Sequence, residues 1–124
     1  MNSLASVRRC ADAVAKRFER LDGILANAGI MATVMGRTTE DFESQFGIYH
    51  LAHFVLVNRL VPLLRRGAAS RVVVMSSGAH RLHDVDLADP NFEQKPYDRW
   101  DAYGQSKSAN ALFARGFERR WGSQ

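Results

Sequence analysis

Arg71-Val72-Val73-Val74-Met75-Ser76-Ser77-Gly78 is the stretch on which the fold turns. Each of its three valines carries two heavy atoms on Cβ, which stiffens χ1 and suits the side chain to a pleated surface. Gly67 before the run and Ser76-Ser77-Gly78 after it bound one short strand. Upstream, Leu21-Asp22-Gly23-Ile24-Leu25-Ala26 is a second short apolar run that ends at the turn residues Asn27-Ala28-Gly29 and reads as a buried parallel strand.

Helical spacing fills the intervals. Leu4, Val7, Ala11, Val14 and Phe18 recur at steps of three and four between Ser3 and Arg20, with Ser3 as the cap. Cys10 lies beside that stripe and is expected to be a small, half-buried apolar residue. Thr38-Thr39-Glu40-Asp41 offers capping groups to a helix through Phe42, Phe46, Leu51, Phe54, Val57 and Leu60 to about Arg66, with Pro62 bending its last turns and Gly67 ending it. The polar stretch from His80 to Arg99 reads as a long loop, with Phe92, Tyr97 and Trp100 as candidates to line a pocket. Asp101 is expected to cap a last helix bearing Tyr103, Lys107, Asn110, Phe113, Phe117 and Trp121 near one face.

The order helix, strand, helix, strand, loop, helix predicts an α/β fold with crossover connections on a parallel sheet. Ligands of such sheets bind beyond the carboxyl ends of the strands, where Asn27-Ala28-Gly29 and Ser76-Ser77 both fall.

Composition narrows the function. The chain has 124 residues, 17 Lys+Arg against 13 Asp+Glu, and 46% hydrophobic content, the profile of at most one folded domain. No uninterrupted apolar run approaches the roughly 18 residues that cross a bilayer, and the first residues lack the order of a signal peptide, so no membrane span and a cytoplasmic location are expected. One cysteine and four scattered histidines supply neither a disulfide framework nor metal-ligand spacing. The charge of +4 is spread over several segments, which speaks against nucleic-acid binding.

Tyr103 and Lys107 stand four apart and so neighbour each other on a helix. An ammonium beside a phenol favours the phenolate and makes the tyrosine a usable proton carrier. Ser77, at the mouth of the valine strand, can donate a hydrogen bond to a substrate oxygen.

Taken together in this order, the motifs resemble the short-chain dehydrogenase/reductase family, in its retinol-dehydrogenase-like branch. LDGILANAGIM, Leu21 to Met31, resembles the family's fourth strand and NNAG turn, with Ala26 in place of the first asparagine. VVVMSS resembles its fifth strand with the catalytic serine, for which Ser77 is the better match. AYGQSKSANALFA, Ala102 to Ala114, carries the tyrosine and lysine.

The resemblance implies a partial Rossmann-like doubly wound sheet of about two strands with three helices. It implies that Tyr103 moves the proton, Ser77 orients the carbonyl oxygen, and Lys107 holds the nicotinamide ribose of NADP or NAD. Asn27, Ala28 and Gly29, together with Tyr103 and Lys107, would form the cofactor wall, and the substrate would be a small carbonyl or alcohol.

Two departures go with it. In FGIYHLAHF, Phe46 to Phe54, Tyr49 stands where the family's active-site asparagine anchors a relay water, and its ring is expected to exclude that water or crowd Lys107. His50 and His53 match the branch and are expected to be structural. No GxxxGxG phosphate loop occurs in the chain. The expectation is therefore a central fragment, residues 1–124, of an NAD(P)-binding domain, beginning near the end of the family's third strand, without the glycine-rich loop, and stopping after the Tyr103 helix, with its activity alone in question. The alternative is a non-catalytic interaction module that forms a homo-oligomer or pairs with an intact relative through the helices Thr38–Arg66 and Asp101–Trp121.

Overall fold

A computed structural model describes residues 1–122. Helix α1 (Leu4–Arg17) begins where Ser3 Oγ accepts from the Ser6 N–H at 3.3 Å, as its sequence predicts. A second acceptor comes from far along the chain: Glu40 Oε1 takes the Leu4 and Ala5 N–H groups at 2.8 and 3.3 Å. Those N–H groups, Leu4's first, hold the Glu40 carboxyl below the usual carboxylate range. Glu40 therefore serves α1 and not the helix that follows it in sequence. Val7 and Ala11 are buried on one face of the helix, whereas Cys10 is exposed, against expectation. It lies one helical step, about 100°, from Ala11, and that turn carries it off the packed stripe.

Strands β1 (Gly23–Ala26) and β2 (Arg71–Val74) pair in parallel, with Gly23 opposite Arg71 and Ala26 opposite Val74. Between them runs α2 (Ser44–Leu64), which includes a π-helical turn at Gly47–Leu51. Its cap is Glu43, whose carboxylate accepts from Gln45 N and Phe46 N at 2.9 and 2.8 Å. The predicted capping stretch Thr38–Asp41 instead folds into a turn in which Thr38 Oγ1 accepts from Phe42 N. By length and composition α2 could cross a membrane, yet half of its most apolar stretch is buried within the protein, as in a core helix. The last helix, α3 (Arg99–Trp121), is capped by Asp98, which accepts from Trp100 N and Asp101 N at 2.7 and 3.0 Å. Asp101, the expected cap, sits in the first turn and faces His83 Nδ1 at 2.9 Å.

The core lies on one face of the sheet. Ala11 of α1 and Leu60 and Leu63 of α2 meet Ile24, and Val57 of α2 and Phe113 of α3 meet Ala26, Val72 and Val74. The expectation of a buried parallel strand over Leu21–Ala26 is corrected by Leu25, which is 64% exposed and faces Val73, itself 48% exposed, in the register. Side chains alternate across a strand, so helices packed on one side leave every second residue in solvent.

Candidate active site

The carboxyl ends of both strands, the π-helical turn of α2 and the second turn of α3 converge on Lys107. The ladder closes with Met75 N–H donating to the Ala26 carbonyl at 3.1 Å, after which β1 turns at Asn27 and β2 at Ser76. Asn27, Ala28 and Gly29 are exposed at that end. Gly29 has a packing role, since a Cβ there would enter the Tyr49 ring.

α3 packs closely on the segment that follows β2 because its residues there are small or hydrogen-bonded. A Cβ on Gly104 would run into the His83 ring, Ser108 Oγ donates to the His80 and His83 carbonyls, and Ser106 Oγ donates to the Tyr103 carbonyl. Gln105 joins the long loop by accepting from Asp86 N–H at 3.0 Å and donating to the Pro90 carbonyl at 2.9 Å. Buried polar groups must find such partners, and Gln105, Ser106 and Ser108 do.

Lys107 is buried, and its ammonium donates to the Met75 carbonyl at 3.4 Å. The same carbonyl accepts from Asn110 Nδ2 at 3.0 Å, and Asn110 Oδ1 takes the His50 Nδ1–H at 3.3 Å. The Lys107 ammonium stands 3.4 Å from the centroid of the Tyr49 ring and 5.4 Å from that of Tyr103, and the two rings meet edge to face at 5.7 Å. Desolvation pulls the Lys107 pKa down to about 8, and it pushes the Tyr49 phenol up, with Tyr103 adding to the rise. Burial lowers the pKa of His50 and of His53, whose Nδ1–H goes to the Tyr49 carbonyl at 2.7 Å. Both histidines are thus held by neighbours, as their sequence context predicts.

The two serines separate by their bonds. Ser76 Oγ donates to the Lys107 carbonyl at 2.9 Å and ties β2 to α3. Ser77 Oγ accepts from Ala79 N–H at 3.3 Å at the head of a 3₁₀ turn (Gly78–Arg81), which leaves its own proton to donate. Of the expected site residues, Tyr103, Lys107 and the Gly29 turn meet around Tyr49, and Ser77 follows two residues after the carbonyl that holds Lys107.

A buried polar network was not signalled by any motif. Gln45 accepts from Ala32 N–H at 2.8 Å and donates to Tyr97 Oη and the Arg99 carbonyl at 3.0 and 2.9 Å, while Tyr97 Oη donates to the Thr33 carbonyl at 3.1 Å. It fixes the segment after Gly29 to the start of α3. Tyr97 therefore serves through its hydroxyl and not as an apolar wall. Phe92 is buried against the Tyr97 ring, and Trp100 is half-exposed beside Tyr103. The one sequence hint was Glu43-x-Gln45 at the head of a helix, a pairing of acceptor and amide that suits an N-terminus.

Comparison with known proteins agrees with this architecture. The short chain dehydrogenase family matches residues 1–124, and the chain belongs to that family. It is 42% identical over 118 residues to human retinol dehydrogenase 14, covering 95% of this chain and 35% of the relative. To mouse retinol dehydrogenase 12 it is 37% identical over 120 residues, covering 97% and 38%. A crystal structure from Mycobacterium paratuberculosis superposes with a TM-score of 0.88 at 43% identity, covering 98% of this chain and 42% of the other. The Pseudomonas aeruginosa RhlG/NADP active-site complex superposes with a TM-score of 0.70 at 26% identity, covering 98% and 45%. The chain thus spans a little over a third of the curated relatives it matches, and its two parallel strands with three helices are part of a Rossmann-like α/β fold.

Proposed function

We propose that the chain carries the proton-transfer part of a nicotinamide-dependent oxidoreductase acting on a small carbonyl or alcohol, in the manner of the retinol dehydrogenases it resembles. The observation that carries this reading is Lys107: a buried ammonium held by a strand-end carbonyl within reach of the Tyr103 ring. An ammonium in a dry site stabilises a neighbouring phenolate, the state a tyrosine needs to take a proton from an alcohol. Tyr103 takes or gives that proton, Ser77 donates to the carbonyl oxygen, and Lys107 fixes the electrostatics of both steps.

The cofactor is NADP or NAD, and when bound it supplies or accepts the hydride. The exposed turn Asn27-Ala28-Gly29 beside Lys107 and Tyr103 suits its nicotinamide ribose, and the RhlG/NADP complex among the structural relatives supports the choice of cofactor class. The sequence holds no GxxxGxG loop for its pyrophosphate. The test is turnover of aldehydes and retinal-like substrates: Tyr103→Phe abolishes it, and survival of turnover in that variant refutes the assignment.

A second reading is supported by the groove of about 730 Å³ between α2 and α3, lined by Phe54, Leu112, Phe113 and Trp121. Phe54 and Leu112 are 46% and 61% exposed there, which suits helical pairing with a second chain. Changing Phe54 to Asp removes an associated species from sedimentation profiles if that groove pairs, and leaves them unaltered if it does not.

A further inference from the structure

Among the described residues, three elements supply the groups that face the Lys107 ammonium. From α2 come the Tyr49 ring face and, on the next turn, His53, with His50 reached through Asn110; from α3 comes the Tyr103 ring; from the end of β2 comes the Met75 carbonyl. None of the ion pairs among the described residues involves Lys107. A desolvated ammonium with one carbonyl and no carboxylate needs another source of negative potential, and an aromatic face supplies it. The Tyr49 ring is also held in place independently, since it is buried, it abuts Gly29 and its own carbonyl is bonded by His53.

We propose that Tyr49 is the positioning residue of Lys107, its ring face holding the ammonium beside Tyr103 where a carboxylate or water would otherwise be required. The ring, and not its hydroxyl, does this. Any consequence for turnover rests on the function proposed above; the placement of the ammonium does not, and it is read on Lys107 itself.

The chain has three lysines, Lys16, Lys95 and Lys107, so the side-chain NMR signals of a lysine-labelled sample are assigned by a single Lys107→Met control. Tyr49→Phe keeps the ring, and Lys107 continues to titrate near pH 8. Tyr49→Leu keeps apolar bulk but removes the face, and the titration falls by about one pH unit. A folded Tyr49→Leu protein in which Lys107 titrates unchanged or higher overturns the proposal.

If that variant does not fold, successive ring fluorination of phenylalanine at position 49 changes the charge of the face while nearly keeping its shape. A stepwise fall in the Lys107 midpoint with each fluorine supports the placement, and a flat series overturns it. Failure of the chain to bind NADP(H) or NAD(H) while the Lys107 midpoint still follows the ring would refute the oxidoreductase reading and leave Tyr49 as the positioning residue.

Discussion

Asn110 Nδ2 donates to the Met75 carbonyl at 3.0 Å, and through this bond the last helix fixes the strand end from which Ser76 and Ser77 depart. The same oxygen receives the Lys107 ammonium, so the carboxamide also sets the height of Lys107's acceptor. Asn110 is itself held by His50, which ties its orientation to α2. Three elements are thus fastened at one carbonyl.

Replacing Asn110 by Leu leaves the His50 Nδ1–H without its acceptor and weakens the clamp on Met75. Leaving a buried polar group unpaired costs about 1–3 kcal/mol. Denaturant unfolding of Asn110→Leu is therefore expected to show a loss in that range, with turnover reduced further than stability accounts for.

Gly29 and Tyr49 occupy each other's space. Gly29→Ala places a methyl in the Tyr49 ring and is expected to destabilise by about 1–3 kcal/mol, as overpacking does. In a Tyr49→Leu background most of that cost disappears, because the ring that blocks the methyl has gone. A double-mutant cycle by chemical unfolding reads the coupling, and additive losses would show that the clash is relieved elsewhere.

Lys107 gives stability a pH dependence of known sign. Its folded pKa is about 8 against an ordinary 10.5, so between those values the unfolded chain binds a proton that the folded chain does not. Stability therefore rises with pH across that window through this group, and below about pH 8 its burial opposes folding in full. Lys107→Met removes this rise, which unfolding midpoints between pH 7 and pH 10 measure directly against the parent chain.

Leu25 and Val73 are paired apolar residues on the uncovered sheet face, and an exposed apolar strand pair invites association. The 124-residue chain is expected to self-associate with rising concentration in sedimentation, and Leu25→Thr with Val73→Thr reduces this. A concentration-independent monomer would contradict it.

Much of this was legible in the amino-acid order. The valine run and the Asn27-Ala28-Gly29 turn locate both strands and their functional ends, and the four-residue step from Tyr103 to Lys107 places both on one helix. The caps were less legible for a physical reason. Glu40, Glu43, Asp98 and Asp101 all have the chemistry of a cap, and the choice depends on which N–H groups tertiary folding brings near; Glu40 meets Leu4 across 36 positions. Exposure of Cys10, Leu25 and Val73 depends on which faces have neighbours, which periodicity does not encode. The π-helical turn at Gly47–Leu51 departs from the α-helical period just where Tyr49 sits, and such bulges are common at functional sites.

On the function proposed above, the strand ends around Lys107 receive a nicotinamide cofactor. Thermal unfolding of the purified chain with millimolar NADP(H) and NAD(H) tests it, because a ligand that binds only the folded state raises the midpoint with concentration. The expected result is a saturable rise with one of the two cofactors, retained in Tyr103→Phe and lost in Lys107→Met. A folded chain whose midpoint ignores both cofactors at every concentration would contradict cofactor binding at this site.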